Sequence, residues 1–241
     1  MKGIILSGGL ATRLRPLTIV TSKQLLPVYN RPMIYYPLNT LIKAGIEEIL
    51  IIVSPDRAEE YLKLLGRGEN FGVKISYAIQ PEPKGLPEAF TIGEEFIGNQ
   101  NVALILGDNI FEDDFSQAIK NFQNGAKIFI KKVKDPERYG VVQLDQLMKP
   151  LKIVEKPKEP IGDYAVTGLY LYDNRVIEAA KVLRPSLRGE LEIVDLHNWY
   201  LAKKELEVEI IKGEWIDAGT FDSLLEAQIL AKDKLQDKLI I

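Results

Sequence analysis

The sequence predicts an α/β fold, with a mixed, mostly parallel central sheet flanked by helices. Two observations carry this. Apolar runs of strand length recur at 3–6, 48–53, 73–79 and 102–106. Between them, 33–44, 57–65 and 86–96 carry apolar residues at helical spacing. Strand alternating with helix favours a parallel sheet with right-handed crossovers.

The first strand, GIIL, and the second, EILIIV after Glu48, are unbroken apolar runs, as strands buried on both faces are. The helix between them is ended by Gly45. After 106 the alternation loosens. The runs 126–133, 139–144, 151–155 and 164–172 read as strands, 174–182 and 192–203 as helices, 205–211 as a late strand and 221–232 as a late helix. Gly168, inside an apolar strand, suggests a bulge or a close backbone approach. With no linker rich in Gly, Ser or Pro and no repeat, the expectation is one continuous domain over 1–241.

Composition narrows the chemistry. Of 241 residues 46% are hydrophobic and 27% charged, ordinary values for a globular protein that buries a core without staples. With no cysteine, disulfides, thiolate metal sites and cysteine nucleophiles are excluded. The one histidine, His197, reads as a packed or capping helical residue, and a lone histidine argues against a catalytic triad or a multi-histidine metal site. A net charge of −3 counts against nonspecific nucleic-acid binding. No apolar run suits a signal peptide or a membrane span, so the expected compartment is the cytoplasm.

In a parallel sheet, ligands gather beyond the carboxyl ends of the strands. Three polar clusters sit there. Ser7-Gly8-Gly9 precedes Arg13 and Arg15, with Lys23 close behind. It has neither a Walker ending nor dinucleotide-loop spacing. Glycine amides can cradle phosphate oxygens and the cations can add charge-assisted bonds, so a phosphate loop is favoured over a plain turn. Gln80 to Gly85 is the second cluster and Gly107-Asp108-Asn109 the third. Asp108 fits a magnesium-holding carboxylate or a turn or helix cap, and the residues alone leave both open. Asp217, after an apolar pair, offers a second carboxylate, although it can also cap the last helix, where Thr220 is the better cap. Glu155-Lys156 ends another strand. A solvated strand end is the plain reading; a continuing strand would send the two charges to opposite faces, one for sugar hydroxyls and one for a phosphate.

Together these clusters resemble a family. Gly8-Gly9-Leu10-Ala11-Thr12-Arg13-Leu14 and Ser22-Lys23-Gln24-Leu25-Leu26-Pro27 resemble the signature of the sugar-1-phosphate nucleotidylyltransferases. The segments 32–38, 106–111, 135–142, 155–157, 164–170 and 188–193 are similar to its glucose-1-phosphate thymidylyltransferase branch. The resemblance implies a single Rossmann-like nucleotidyltransferase domain without a hexapeptide-repeat tail, and a homo-oligomer. It implies Mg2+-dependent transfer from dTTP to glucose 1-phosphate, giving dTDP-glucose and pyrophosphate by in-line attack on the α-phosphorus. Carried over, Arg13, Lys23 and Lys156 supply catalytic positive charge. Leu6, Gly8, Gly9, Thr12, Arg13, Gln80, Pro83, Gly85 and Asp108 bind the nucleotide. Asn109, Tyr139, Gly140, Glu155, Lys156, Val166 and Thr167 bind the sugar phosphate. Asp108 and Asp217 hold Mg2+. A non-catalytic nucleotide-sugar sensor would tolerate losing these charges, and all are present.

The chain departs from the family pattern at Ala11, where the loop usually has glycine, and at Pro87 and Glu88, where Ala and Gln are commoner. A thymine methyl is worth about 1–3 kcal/mol in an apolar pocket, which makes UTP a second substrate behind dTTP.

Overall fold

The computed structural model describes residues 1–9 and 11–235; Leu10 of the glycine loop and 236–241 lie outside them. The chain groups into two compact units. One comprises Met1–Pro83, Ala103–Asn121 and Gly213–Ile241, the other Lys84–Val102 and Phe122–Lys212.

In the first unit the strand order is Val102–Leu106 (in this unit from Ala103 on), Lys2–Ser7, Glu48–Val53, Lys74–Ile79. Lys2–Ser7 pairs in parallel with Glu48–Val53, which pairs in parallel with Lys74–Ile79. Ile4, Ile5, Ile49 and Ile51 are fully buried, which is why these strands read as unbroken apolar runs. The helix Tyr35–Lys43 packs on Lys2–Ser7, and Ala58–Leu65 on Lys74–Ile79. The α/β class and the parallel sheet with its helices are as expected.

Two three-residue strands were not foreseen. Asn109–Phe111 pairs antiparallel with Trp215–Asp217, with Asp217 opposite Asn109. Asp108 therefore caps no helix; the chain after it is a strand. The last helix, Phe221–Leu230, starts at Thr220 as anticipated: the Thr220 hydroxyl accepts from the Ser223 amide, and Ser223 Oγ accepts from the Thr220 amide.

The second unit is mixed. Tyr164–Tyr172 pairs antiparallel with both Ala126–Lys132 and Gly140–Leu144. Pro150–Glu155 is antiparallel to Gly140–Leu144, and Leu206–Ile210 parallel to Ala126–Lys132. The register shifts between Val166 and Tyr170, the irregularity that Gly168 announced. The helix expected over 86–96 is two short ones, Glu88–Ile92 and Glu94–Ile97, parted at Gly93.

The helix Ile193–Ala202 carries His197, fully buried beside Tyr170 and stacked on Tyr172 at 6.1 Å and 13°. Neither ring nitrogen has a hydrogen-bond partner among the described residues, so His197 is packed and does not cap. Burial pushes its pKa down to about 3. Among the described residues no helix is long and apolar enough to cross a membrane.

The buried imidazole links stability to acidity. Below the unfolded-state value near 6.5 the unfolded chain takes up a proton that the folded chain refuses until about pH 3, so stability falls with pH across that window. Urea unfolding at pH 7 and pH 5 should show the native protein losing about 1–2 kcal/mol more than His197→Phe, in which the background carboxylates cancel. Equal losses would refute the link.

Candidate active site

The loop after the first strand is shaped by sequence as much as by packing. The Leu6 carbonyl accepts from the Gly107 amide at 3.0 Å, which ties the start of the glycine loop to the turn that carries Asp108. Gly8 lies directly under the buried Gln80 side chain, so two of the expected polar clusters do meet. A β-carbon on Gly9 would meet nothing within 4 Å. Packing does not demand a glycine at that position. Ala11 is left-handed, with φ 49° and ψ 38°. Thr12 and Arg13 follow, exposed, in the 3-10 turn Thr12–Leu14.

Arg13 reaches back across the unit. A β-carbon on Gly219 would sit 2.8 Å from Arg13 Nη2 and 2.9 Å from Asp217 Oδ1, so the guanidinium lies over the turn that follows Asp217. Lys23 belongs to a second 3-10 turn, Lys23–Leu25. That turn is fixed by the buried Gln24, whose side chain accepts from Tyr61 Oη at 3.2 Å and whose carbonyl accepts from the Ile34 amide at 2.8 Å.

Lys23 Nζ is ion-paired with Asp108 Oδ2, both side chains nearly withdrawn from solvent. Burial works against the ammonium, but Asp108 beside it outweighs this and lifts Lys23 above its ordinary value. Burial likewise opposes ionisation of Asp108; Lys23's charge and hydrogen bond, with the Asn109 amide, hold that carboxyl below the usual range. Asn109 Nδ2 donates to Asp108 Oδ1 at 3.2 Å, and Trp215 Nε1 donates to Asn109 Oδ1 at 2.6 Å. Asn109 thus orients the carboxylate from within this unit. Asp217 gets no such help. Among the described residues its Oδ1 is buried without a hydrogen-bond partner, and burial followed by the Asp108 charge pushes its pKa up to about 6.

Lys23 and Arg13 therefore face two adjacent carboxylates, and among the described residues Asp217 keeps a buried oxygen without a hydrogen-bond partner. No cluster of three or more His, Asp or Glu placed to hold a metal ion is found among the described residues. Two carboxylates suit Mg2+, which completes its shell with water and substrate phosphates, and would not suit a protein-caged ion. Pro83 lies exposed a few residues past Gln80.

The second unit gathers another group. Glu155 stands opposite Gly140 in the antiparallel ladder. A β-carbon on Gly140 would fall 2.9 Å from Val194 Cγ2, 3.3 Å from Glu155 Oε2 and 3.7 Å from Val166 Cγ2. Gly140, Glu155 and Val166 therefore come together as the sequence suggested. Lys156 does not take the opposite face. Its φ of 43° ends the strand, its amide donates to the Tyr139 carbonyl at 2.9 Å, and its Nζ stays 3.7 Å from Glu155 Oε1. Thr167 is buried with its hydroxyl donated to the Phe129 carbonyl at 2.9 Å, which leaves only its backbone for a ligand. Gly85, at φ 118°, packs against the Leu191 backbone, where a side chain has no room.

Three residues had no assigned role. Arg188 Nη2 is 3.2 Å from Glu155 Oε1 and 2.6 Å from Glu192 Oε2. Even so, burial leaves the Glu155 carboxyl above its ordinary value. Val194 closes the cradle at Gly140, and Trp215 orients Asn109. Arg188 and Trp215 lie within quoted motifs or beside them, but only tertiary pairing shows what they touch.

Asp217's raised pKa has a sign that can be checked. The folded chain holds that proton better than the unfolded one, so the contribution to stability is full below pH 4 and is lost as pH rises through about 6. In EDTA at pH 8, Asp217→Asn should be more stable than the native protein by about 1–3 kcal/mol, with the gap closing toward pH 5. A destabilised variant at pH 8 would contradict this.

Comparison with known proteins agrees with the geometry. Residues 2–234 match the nucleotidyl transferase family. The chain is 55% identical over 233 residues to a glucose-1-phosphate thymidylyltransferase of Neisseria meningitidis serogroup A, covering 94% of this chain and 81% of that one. A Bacillus anthracis crystal structure described as a glucose-1-phosphate thymidylyltransferase in complex with sucrose superposes with a TM-score of 0.92 at 46% identity, covering 97% of this chain and 96% of that one. A UDP-glucose pyrophosphorylase complexed with UDP-glucose superposes at 0.86 and 25% identity, over 97% and 98%. The chain belongs to the glucose-1-phosphate thymidylyltransferase family of nucleotidyltransferase enzymes.

Proposed function

We propose that this enzyme transfers a thymidylyl group from dTTP to glucose 1-phosphate, releasing pyrophosphate and giving dTDP-glucose. The observation that carries the proposal is the buried Lys23–Asp108 pair beside Asp217, whose buried Oδ1 is unmatched, with Arg13 laid over the next turn. That arrangement is poised for added positive charge and phosphate oxygens.

In this reading the Gly8–Gly9 backbone, Thr12 and Arg13 hold the triphosphate, with Arg13 drawing off the leaving pyrophosphate. Leu6, Gln80, Pro83 and Gly85 form the nucleoside side of the binding residues. Asp108 and Asp217 would hold Mg2+, which when bound neutralises and orients phosphate oxygens. In the second unit, Gly140, Glu155 and the Val166–Thr167 backbone take the sugar hydroxyls, and Lys156 takes its phosphate. Tyr139 borders that group, and Asn109 serves by aiming Asp108.

No general base is needed. A phosphate monoester has its second pKa near ~6, so its oxygen is already a nucleophile at neutral pH. The protein's work is to align two anions for in-line attack on the α-phosphorus and to balance the charge that accumulates. His197, sealed in the core of the second unit, has no part in this.

The similarity to a UDP-glucose pyrophosphorylase favours UTP as a second substrate. Discrimination by one methyl is limited to about 1–3 kcal/mol, so UTP should turn over at roughly a tenth to a hundredth of the dTTP efficiency. The test is pyrophosphate release over four triphosphates and several sugar 1-phosphates, with Mg2+ and with EDTA. We expect dTTP with glucose 1-phosphate to lead and EDTA to abolish release. Robust turnover of UTP with none of dTTP overturns the thymidylyl assignment, and no release with any pair points to a nucleotide-sugar sensor. Asp108→Asn should cut kcat by at least about 100-fold, as expected for loss of a group that stabilises transition-state charge.

A further inference from the structure

The geometry points to Thr18 as a positioning residue for the triphosphate loop: its hydroxyl holds Ala11 in the left-handed backbone conformation that presents Thr12 and Arg13. The inference rests on the proposal that this loop receives the triphosphate.

Ala11 carries a β-carbon at φ 49° and ψ 38°, where glycine is at ease and alanine is not. Such a conformation lasts only where the surroundings over-determine it. The Ala11 carbonyl accepts two hydrogen bonds. One, from the Leu14 amide at 3.2 Å, is the turn's own. The other comes from outside the turn: Thr18 Oγ1 donates at 2.8 Å. Thr18 is nearly buried, so its hydroxyl has little water to turn to and forfeits a hydrogen bond if Ala11 moves.

Thr18 is itself anchored. It sits in the 3-10 turn Leu17–Ile19. The Arg57 guanidinium donates to the carbonyls of Ile19 at 3.0 Å and Val20 at 2.9 Å, and Thr21 Oγ1 donates to Glu60 at 2.8 Å. Arg57 and Glu60 stand at the start of the Ala58–Leu65 helix and are 2.9 Å apart. A line of support therefore runs from that helix through 19–21 to Thr18, and from Thr18 to the Ala11 carbonyl. Fixing that carbonyl fixes the plane of the next peptide, and so the direction of the Thr12 amide and the entry into the turn that carries Arg13.

The variants are Thr18→Val, which keeps the shape and removes the donor, Thr18→Ser, which restores it, and Thr18→Val combined with Ala11→Gly. Thr18→Val should raise KM for dTTP about five- to tenfold, the size of one hydrogen bond, and leave KM for glucose 1-phosphate within about twofold. Thr18→Ser should recover most of the loss. Ala11→Gly should do so too, because glycine takes the left-handed conformation without support. Rescue by a change at a different residue is what a general packing role would not produce. If the native protein releases pyrophosphate and Thr18→Val matches it, or if Ala11→Gly fails to rescue, the positioning role is overturned and the proposed reaction stands. A native protein that neither binds dTTP in calorimetry nor releases pyrophosphate overturns both.

Discussion

The first unit depends on a charge balance that is left incomplete. Lys23 and Asp108 satisfy each other out of water, and Asp217 adds a second carboxylate that Lys23 cannot also neutralise. Removing one partner from a buried pair costs about 3–5 kcal/mol, because the other is left uncompensated. The residual imbalance is relieved because Asp217 holds its proton more readily than a free carboxyl, and its neighbours fix the geometry. The Asn109 amide, itself held by Trp215, fixes one carboxylate, and the Asp217–Asn109 register fixes the other. A site pre-strained toward accepting positive charge needs little reorganisation when that charge arrives.

What holds the charges in place is apolar. Leu14, Leu26, Ile110, Ala218 and Leu224 belong to one buried cluster of this unit. Leu14 follows Arg13, Leu26 closes the turn of Lys23, Ile110 lies two residues after Asp108, and Ala218 follows Asp217. Each working side chain is thus one to three residues from an anchor in a common core. Hydrophobic contacts thus stand behind these four charged groups, while at the front Gly8 packs under Gln80 and a side chain at Gly9 would meet nothing.

Much of this was legible in the residues. Apolar runs located the inner strands of the parallel sheet because burial on both faces leaves little room for alternation, whereas Lys74–Ile79 at the edge mixes exposed and buried positions. Asp108 and Gln80 were recognisable from their place at strand ends. The strands Asn109–Phe111 and Trp215–Asp217 were not: three residues carry no period, and their pairing joins segments about a hundred positions apart. The break at Gly93 was hidden because a single glycine inside a helical pattern is usually tolerated. Lys156 illustrates a different limit. A continuing strand would separate it from Glu155, but its positive φ turns the chain and keeps the two charges together. Arg188 and Val194 became meaningful only once Glu155 and Gly140 were neighbours in space.

The pairing of Asp217 with Asn109 also orders events during synthesis. A nascent chain has its glycine loop, Lys23 and Asp108 within the first half of its length, and these can assemble early. The opposing strand is made last but for the terminal helix. Until Trp215–Asp217 emerges, Asp108 has a cation and no carboxylate neighbour, and Asn109 lacks the indole that aims it. The two-carboxylate arrangement is thus completed only by the third stretch of chain that builds this unit.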